Sequence, residues 1–382
     1  MARLEPAPLR IAYVINSLEG GGAAAPLPQV VRVLRARGCT VRVFALSQRN
    51  GLAAEALSAG GVDWTVSPAA PRQPIRAAAW LLGALRDFAP DLIWTSLTQA
   101  TLTGQVTGAL LGRPVVSWQH NMFLKPANLR WLKRLRGLTA LWVADSDAVA
   151  ELTCERLLLA PSRVMVWPLF EARAEAPQAA PWRPGEVFRF GSLGRLHRNK
   201  GYDVLVEAAA RLQAEAASHW PAYAIDIAGD GAQRAMLETQ MCAAGVSNVR
   251  LLGFQPDSPR FLASLHAYLQ PSRAEGLCIA AHEALLAGLP VIGAEVGEMP
   301  RTIACAGAGA VVAPEDPAAL AQAMAELLSD PAAAYAAGRR GAAEVARRFS
   351  REQFEAAGAA VLNRLRQTAV ARAERAPPFG AG

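Results

Sequence analysis

Short apolar runs alternate with amphipathic segments along the chain, and this alternation predicts parallel strands covered by helices. The first run is "LRIAYVIN", which is followed by the glycine-rich "SLEGGGAA" and by a helical pattern in "LPQVVRVLRARG". The rhythm continues with "TVRVFAL", "PDLIWTS", "RPVVSWQHN" and "TALWVADSD", where apolar residues give way to polar ones at the end of each run. These features predict an α/β domain over residues 1–175.

A second series of the same kind follows residues 171–186, which are rich in proline and alanine and are expected to form a linker. Its predicted strands are "VFRFGSLGRL", "AYAIDIAGD", "NVRLLGF", "HAYLQPS" and "PVIGAEV". We therefore expect two doubly wound α/β domains, with the second over residues 185–350. Ligands bind at the carboxyl ends of such strands, so the cleft between the two domains is the expected site. A helix over residues 351–370 is expected to pack back on the first domain, and residues 371–382 form a flexible tail.

Composition narrows the class of protein. The chain has 382 residues, of which 52% are hydrophobic, so it is long enough to bury a large core. The first residues lack the apolar centre of a signal peptide, and no apolar run has the length of a membrane span. The five cysteines form no C-x-x-C pair, which predicts reduced thiols and no zinc site. We expect a cytoplasmic protein.

The net charge of +7 allows an anionic partner. Nucleic acid is excluded as the preferred partner because no basic and aromatic array or DNA-binding motif is present. The stretch "KPANLRWLKRLRG", residues 125–137, has the pattern of a basic amphipathic helix. Two interpretations stay open: the helix rests on the anionic inner face of the plasma membrane, or its apolar stripe packs inward and its basic face is solvated.

Basic residues follow the first strand of the second domain in "GSLGRLHRNKG". Arg195 and Lys200 leave the strand end together, Gly201 permits a tight turn, and the positive end of the next helix points at the same space. This combination suits a diphosphate, although a solvated basic loop explains the stretch equally well. The "GDG" turn of residues 229–231 repeats the arrangement after the next strand, and by itself it is a weaker signal.

Two glutamates, Glu275 and Glu283, lie in the apolar segment "PSRAEGLCIAAHEALLAGLPVIG". A buried carboxylate without a partner is costly, so both require one. In a helix, their spacing corresponds to about 12 Å, which is too long for a shared proton or a glycosidase pair. The spacing fits carboxylates that bind different hydroxyls of one extended ligand, with Glu275 in the loop before the helix and Glu283 on the helix. Pairing of Glu283 with a core arginine is the alternative.

Other polar residues near strand ends have more than one interpretation. The "DSD" of residues 145–147 resembles a metal-binding D-x-D pair, but we favour a helix cap formed by Ser146 or Asp147. His120 lies at a predicted strand end, and we favour a functional role over a structural one. We interpret His197 and His282 as structural.

Taken in order, "VINSLEGGGAA", "SWQHN", "RLHRNKG", "GDG", the E-x7-E segment and "GAGAVVAPEDPAALAQAMAELL" resemble the family 4 retaining glycosyltransferases of bacteria, which have the GT-B fold. The resemblance extends over nearly the whole chain. It implies transfer of a sugar from a nucleoside diphosphate sugar, with a UDP-sugar favoured, to a hydroxyl of a cell-envelope glycan or a lipid-linked acceptor. It implies no cofactor and no metal.

The resemblance also implies roles for residues of the second domain. Arg195 and Lys200 would hold the donor diphosphate, and Glu283 would bind the ribose hydroxyls. Glu275 would bind hydroxyls of the transferred sugar. The backbone amides of Gly276 and Leu277 would lie near the sugar or the phosphate, and Gly231 is assigned to the donor site as well.

In the first domain, the resemblance implies that Gly21 and Gly22 let the N-terminal loop approach the phosphates and that His120 lies beside the reacting sugar. Ala24 and Ala25 stand where the family often has glutamate. This departure keeps open a nucleotide-sugar-binding partner subunit without catalysis. A sugar-nucleotide epimerase on the same fold is the other alternative.

Overall fold

The structure is a computed structural model that describes residues 8–375 except 20, 71–72, 121–122 and 216. The chain divides into two compact units. The first consists of Met1–Leu169 and Glu352–Gly382, and the second is Phe170–Arg351.

The described residues of the first unit form one parallel sheet of seven strands in the order β3-β2-β1-β4-β5-β6-β7. Its strands are β1 (Leu9–Ile15), β2 (Cys39–Ala45), β3 (Asp63–Val66), β4 (Leu92–Ser96), β5 (Val115–Gln119), β6 (Thr139–Ala144) and β7 (Val164–Val166). Its helices are α1 (Leu27–Ala36), α2 (Leu52–Ala59), α3 (Pro74–Phe88), α4 (Thr98–Leu111), α5 (Pro126–Leu135), α6 (Asp147–Leu157) and α14 (Arg351–Arg375).

Buried aromatic side chains form the centre of the first unit. Trp118 and Trp167 stack with ring centroids 4.9 Å apart, and Trp94 lies against both. Phe354 of α14 packs on Trp167 with centroids 5.5 Å apart. The C-terminal helix is thus part of this core, because its apolar side chains remove surface of the first unit from water.

The described residues of the second unit form a parallel sheet of six strands in the order β10-β9-β8-β11-β12-β13. Its strands are β8 (Phe188–Leu193), β9 (Tyr223–Ala228), β10 (Val249–Gly253), β11 (Ala267–Gln270), β12 (Val291–Ala294) and β13 (Gly309–Val312). Its helices are α7 (Tyr202–Ala214), α8 (Arg234–Ala243), α9 (Ser258–Ala263), α10 (Ile279–Leu286), α11 (Met299–Ala306), α12 (Pro317–Ser329) and α13 (Pro331–Arg348).

The strand order of each sheet reverses direction once, between β1 and β4 in the first unit and between β8 and β11 in the second. Loops leave opposite faces of the sheet at such a reversal, and a crevice opens at the carboxyl ends of the two strands. In the second unit, the loops after β8 and β11 are the basic segment and the E-x7-E segment. The topology thus brings the two stretches with candidate chemistry to one place.

The segment between the two strand series packs on the second unit, although its described residues contain no helix or strand. The amide of Ala179 donates to the carbonyl of Ala287 at 2.8 Å, and Nε2 of Gln178 donates to the carbonyl of Leu286 at 2.9 Å. Ala179 is buried in the core around α10. The expectation of a linker therefore holds for its lack of regular structure, but the segment is anchored rather than loose.

The doubly wound α/β architecture predicted from the sequence is confirmed. The sequence analysis missed three short strands. Two of them have no long apolar run, namely Asp63–Val66 and Val164–Val166. The third is Gly309–Val312, which lies at a sheet edge. The C-terminal helix continues to Arg375, so residues 371–375 are helical, and the rest of the predicted tail lies outside the described residues. Within the described part, no helix is both long enough and apolar enough to cross a bilayer.

Candidate functional site

The loops after β8 and β11 are in contact at the carboxyl ends of these adjacent strands. Gly201 has a φ of 66°, and a Cβ atom at this position would lie 1.9 Å from the carbonyl oxygen of Pro271. Glycine alone tolerates both the left-handed conformation and this close approach. The amide of Arg273 donates to the carbonyl of Asn199 at 2.8 Å. The predicted basic loop and the predicted acidic segment therefore form one cluster.

The "GDG" turn after β9 joins the same cluster. A Cβ atom on Gly231 would lie 2.4 Å from the carbonyl oxygen of Leu196, and the amide of Leu196 donates to the carbonyl of Asp230 at 3.0 Å. A larger residue at position 231 would push the loop after β8 out of place. Gly231 thus allows the loop after β8 to pack directly on the turn after β9.

Lys200 and Glu275 form an ion pair at the centre of the cluster. Nζ of Lys200 lies 2.6 Å from Oε1 of Glu275, and the two side chains are 24% and 11% exposed. Burial acts against the charged form of Lys200, but the charge of Glu275 and the hydrogen bond outweigh it and raise the pKa of Lys200 above its usual value. The lysine therefore stays positively charged at the strand ends.

Arg195 and Lys200 differ in their surroundings. Arg195 follows Gly194 at the end of β8, and its side chain is exposed. Lys200 lies at the end of the same loop and is half-buried against Glu275. The structure thus brings Lys200 and Glu275 into contact and presents Arg195 to solvent on the same loop.

Two backbone amides between the glutamates have no acceptor among the described residues. The amides of Gly276 and Leu277 donate no hydrogen bond to the described residues, although both residues are buried. Cys278 follows them in a left-handed conformation, with a φ of 64°, and α10 begins directly after it. Unpaired amides at a helix start are donors for a ligand oxygen, and the helix dipole favours an anionic one.

Glu283 lies on α10 and Glu275 precedes the helix, both as predicted. The Glu283 carboxylate forms no hydrogen bond or ion pair with any described residue. Burial raises the pKa of Glu283, and the positive charge of Arg173 lowers it by less. The structure does not support the alternative that Glu283 pairs with a core arginine, because no arginine among the described residues lies within ion-pair distance of it. The charge of Arg173 acts on Glu283 only from a longer distance.

The N-terminal glycine loop is a tight turn before α1. The carbonyl of Gly21 accepts hydrogen bonds from the amides of Ala24 and Ala25, each at 3.0 Å. A Cβ atom on Gly21 would meet no atom within 4 Å, so packing inside the protein does not require glycine there. Gly22 is exposed and Ala24 is buried in the core of the first unit.

His120 lies at the end of β5 in a buried polar group of the first unit, and its side chain is 5% exposed. Its Nε2 atom is hydrogen-bonded to Oγ of Ser96, and its Nδ1 atom lies 3.6 Å from Oδ2 of Asp145. Ser96 is the last residue of β4 and Asp145 follows β6, so three neighbouring strand ends supply this group. The sequence analysis found His120 but not its two partners, because strands that are adjacent in space are distant in sequence.

The helix-cap interpretation of residues 145–147 is confirmed. Oγ of Ser146 accepts a hydrogen bond from the amide of Val149 at 3.2 Å and caps α6. Asp145 is turned toward His120 instead of joining Asp147 as a pair.

His197 and His282 have the structural roles that were expected. Nδ1 of His197 accepts from the amide of Asn199 at 3.2 Å. His282 is fully buried, with its ring nitrogens 3.0 Å from the carbonyl of Cys278 and 3.1 Å from Oγ1 of Thr302. Burial lowers the pKa of His282 to about 4.

The basic stretch of residues 125–137 forms α5, and part of its apolar surface packs inward. Leu132 is buried in a small core, against which Leu129 also packs. Trp131 and Phe123 are each 55% exposed beside the basic residues of this stretch. Both interpretations of the stretch thus have support, because the leucines face the core and large aromatic side chains face solvent.

Two protein families match the chain. Residues 20–170 match Glycosyltransferase Family 4, and residues 178–344 match Glycosyl transferases group 1. Together, the two matches cover the two units in turn.

Relatives of known activity are similar over much of the chain. A 2-deoxystreptamine glucosyltransferase of Streptomyces kanamyceticus is 30% identical over 301 residues, which are 69% of this chain and 76% of the relative. A lipopolysaccharide core biosynthesis mannosyltransferase of Rhizobium leguminosarum bv. viciae is 32% identical over 195 residues, which are 50% of this chain and 55% of that enzyme.

Solved structures share the fold at low sequence identity. The crystal structure of Anabaena HepE in complex with UDP-glucose has a TM-score of 0.81 at 21% identity, and the match covers 93% of this chain and 99% of that one. Sucrose-phosphate synthase from Thermosynechococcus elongatus has a TM-score of 0.76 at 18% identity, with 95% and 100% covered.

Proposed function

Since the chain belongs to glycosyltransferase family 4, we propose that it transfers a sugar from a nucleoside diphosphate sugar to a hydroxyl of a cell-envelope glycan or glycolipid. One observation carries the proposal: a charged lysine, a carboxylate and unpaired backbone amides lie together at the strand reversal of the second unit. A phosphorylated sugar needs these groups, because its phosphates require cations and amides and its hydroxyls require carboxylates.

The donor we propose is a UDP-sugar. The structural neighbour Anabaena HepE was crystallised with UDP and with UDP-glucose, which favours uridine as the base. Lys200 and Arg195 would bind the diphosphate, and the amides of Gly276 and Leu277 would donate to phosphate or sugar oxygens. Gly231 would support this loop, and Gly21 and Gly22 would let the N-terminal loop approach the phosphates.

The two glutamates would bind hydroxyls at different parts of the donor. Glu283 has no hydrogen-bonding partner among the described residues, so two ribose hydroxyls would supply the donors that its half-buried carboxylate lacks. Glu275 precedes the helix and would bind hydroxyls of the transferred sugar through its second oxygen. We include His120 as a hydrogen-bonding group for that sugar.

We further propose retention at the anomeric carbon. The bond between the anomeric carbon and the phosphate oxygen breaks, and the acceptor oxygen forms its bond on the same face. The acceptor proton passes to the departing phosphate. Negative charge therefore grows on the diphosphate, where Lys200 and Arg195 stabilise it without a metal.

The acceptor we propose is part of the cell envelope and lies at a membrane surface. Relatives act in lipopolysaccharide core biosynthesis. Phe123 and Trp131 are exposed on a segment that also carries Lys125, Arg130 and Arg134. Aromatic side chains that insert between headgroups, together with cations that attract anionic lipid, would hold the protein on the inner leaflet.

A ligand panel tests the donor proposal. The melting temperature is measured with UDP, GDP, ADP and their glucose conjugates, because a ligand that binds the folded state raises it. We expect the largest rise with the uridine compounds, with EDTA present. Transfer to membrane extracts then gives a product whose anomeric configuration is read by NMR. Inversion would overturn retention, an epimer formed without acceptor would indicate an epimerase, and binding without turnover would indicate a partner subunit.

Vesicle binding tests the membrane proposal separately. We expect the protein to sediment with vesicles of phosphatidylglycerol and to stay in solution with pure phosphatidylcholine. The double substitution of Phe123→Ser and Trp131→Ser should abolish sedimentation. Equal binding to both vesicle types, or full binding by the double variant, would contradict this part of the proposal.

A further inference from the structure

A buried chain of hydrogen bonds leads from the end of β8 to the carboxylate of Glu275. The amide of Leu193 donates to Oη of Tyr268 at 3.1 Å, and this hydroxyl donates to Oε1 of Gln270 at 2.8 Å. Nε2 of Gln270 donates to Oγ of Ser272 at 2.8 Å, and Ser272 donates to Oε1 of Glu275 at 2.7 Å. Tyr268, Gln270 and Ser272 are fully buried, so protein groups alone complete the chain.

The orientation of the Gln270 amide follows from charge. Its Nε2 atom also lies 3.4 Å from Oε1 of Glu275. A half turn of the amide would place its oxygen against the ionised carboxylate, which would be repulsive. The nitrogen must therefore face Glu275 and the oxygen must face Tyr268. Oη of Tyr268 accepts from the amide of Leu193 and has two possible acceptors for its single proton, the carbonyl of Leu193 at 3.2 Å and Oε1 of Gln270 at 2.8 Å. The shorter distance favours donation to Gln270.

All these donors converge on one oxygen of the glutamate. Oε1 of Glu275 accepts from Lys200 at 2.6 Å, from Ser272 at 2.7 Å and from Gln270 at 3.4 Å. Among the described residues, these three bonds go to Oε1 and none of them goes to Oε2. The buried thiol of Cys278 also lies beside this carboxylate. A carboxylate held through one oxygen has its second oxygen pointed in a defined direction.

We propose that Gln270 is a positioning residue, which acts through Glu275 by orienting the free oxygen of this carboxylate toward the transferred sugar. This inference rests on the proposed function, since the ligand of Glu275 is the sugar of the donor. Gln270 has no exposed surface and does not touch the ligand. The ion pair with Lys200 fixes the position of Oε1 but leaves the carboxylate free to rotate. The hydrogen bonds from Gln270 and Ser272 come from two other directions and restrict this rotation.

Gln270→Met leaves the ion pair of Lys200 and Glu275 in place, so the groups that would bind the diphosphate of the donor are kept. The substitution therefore separates the affinity for UDP from the affinity for UDP-glucose. Displacement of a polar group by about 1 Å costs up to roughly 100-fold at a reacting centre. We expect Gln270→Met to weaken binding of UDP-glucose by roughly 10-fold and to leave binding of UDP unchanged. A general disturbance of the fold would weaken both ligands equally.

Calorimetric titration of UDP and UDP-glucose tests this expectation with three variants. Gln270→Met removes both donors of the amide at similar volume, and Ser272→Ala removes a different donor to the same oxygen with a smaller change. Gln105→Met is the matched control, because Gln105 is equally buried but lies in the first unit, where it donates to Oγ1 of Thr139 at 2.9 Å. We expect the control to bind both ligands as the unchanged protein does.

A double-mutant cycle shows whether Gln270 acts through Glu275. In a Glu275→Gln background, Gln270→Met should have no further effect on the affinity for UDP-glucose. Additive losses would overturn the positioning role, as would an equal weakening of UDP and UDP-glucose. If Gln270→Met does not fold, Ser272→Ala is carried through the same cycle.

Failure of the proposed donor is distinguishable from failure of the positioning role. If the unchanged protein binds no UDP-glucose, the donor assignment is wrong. Crystals of the ligand-free Gln270→Met protein then decide the positioning role alone. A displaced Glu275 carboxylate supports the role, and an unmoved carboxylate overturns it.

Discussion

Glu275 and Glu283 belong to one apolar segment, yet their environments are opposite. Glu275 accepts hydrogen bonds from Lys200, Ser272 and Gln270 on one oxygen. Glu283 accepts none from the described residues, and burial raises its pKa. Described residues thus supply hydrogen-bond donors to the carboxylate of Glu275 and supply none to that of Glu283. The two residues should therefore respond to substitution with opposite signs.

The largest effect is expected from Lys200→Ala. Removal of the cation takes away charge stabilisation of the leaving diphosphate and leaves Glu275 without its ion-pair partner. Transfer should fall by about 1000-fold, as for loss of a group that stabilises developing charge. This loss is measured as the rate of sugar transfer at a saturating concentration of donor.

The control for Lys200→Ala is Arg347→Ala. It breaks an exposed ion pair of 2.7 Å with Glu344 elsewhere in the second unit. This control should keep its activity, because exposed pairs contribute little. Near-normal transfer by Lys200→Ala would remove Lys200 from the proposed machinery.

Glu275→Gln should lower stability. The substitution leaves the half-buried charge of Lys200 without an anion, and breaking such a pair costs about 2 kcal/mol after allowance for its partial exposure. Urea denaturation of the ligand-free protein measures the free energy of unfolding. Unchanged stability would show that the ion pair contributes nothing beyond solvation of its members.

Glu283→Gln should have the opposite effect and raise stability at neutral pH. Folding raises the pKa of Glu283, so its burial penalty is absent below the ordinary value of 4.5 and grows as pH rises through the folded pKa. At a pH above the folded pKa, the melting temperature of the variant should exceed that of the unchanged protein by on the order of 2 °C. Below about pH 4.5, the two proteins should melt at the same temperature.

The same Glu283→Gln variant should bind UDP more weakly, because an amide replaces the carboxylate that accepts from the ribose hydroxyls. Melting curves from pH 4 to pH 8, with and without UDP, measure both effects. A variant less stable at pH 7 would show that Glu283 has a partner in the free protein. His282 titrates in the acidic part of this range, so each comparison is made at equal pH.

The smallest effect is expected from Arg173→Ala. The charge of Arg173 lowers the pKa of Glu283 by less than burial raises it. Because Arg173 is exposed, its loss should cost under about 1 kcal/mol. The loss should be larger in the unchanged protein than in the Glu283→Gln background. Equal losses in both backgrounds would mean that Arg173 stabilises the fold through other contacts.

The sequence was sufficient for the architecture and for the identity of the candidate groups. Apolar runs such as "LRIAYVIN" and "VFRFGSLGRL" predicted β1 and β8 because a strand buried on both faces must be apolar throughout. The apolar segment with two glutamates likewise predicted a helix that begins after Glu275 and carries Glu283. Such patterns are local in sequence, so they can be recognised without knowledge of the fold.

The contacts between the candidate side chains depended on tertiary structure. Lys200 is distant from Glu275 in sequence, and Tyr268 bonds to Leu193 of another strand. No local pattern reports these contacts, because the order of strands in the sheet decides which loops meet. The same holds for Asp145, which the sequence offered as part of a pair and which the fold turned toward His120.

The sequence by itself determined which residue types are present, the alternation of strands and helices in two α/β units, and the family to which the chain belongs. Tertiary structure alone decided that one glutamate is bonded on one oxygen while the other has no donor among the described residues. The physical reason is that burial and hydrogen bonding arise from neighbours in space, which strand order sets.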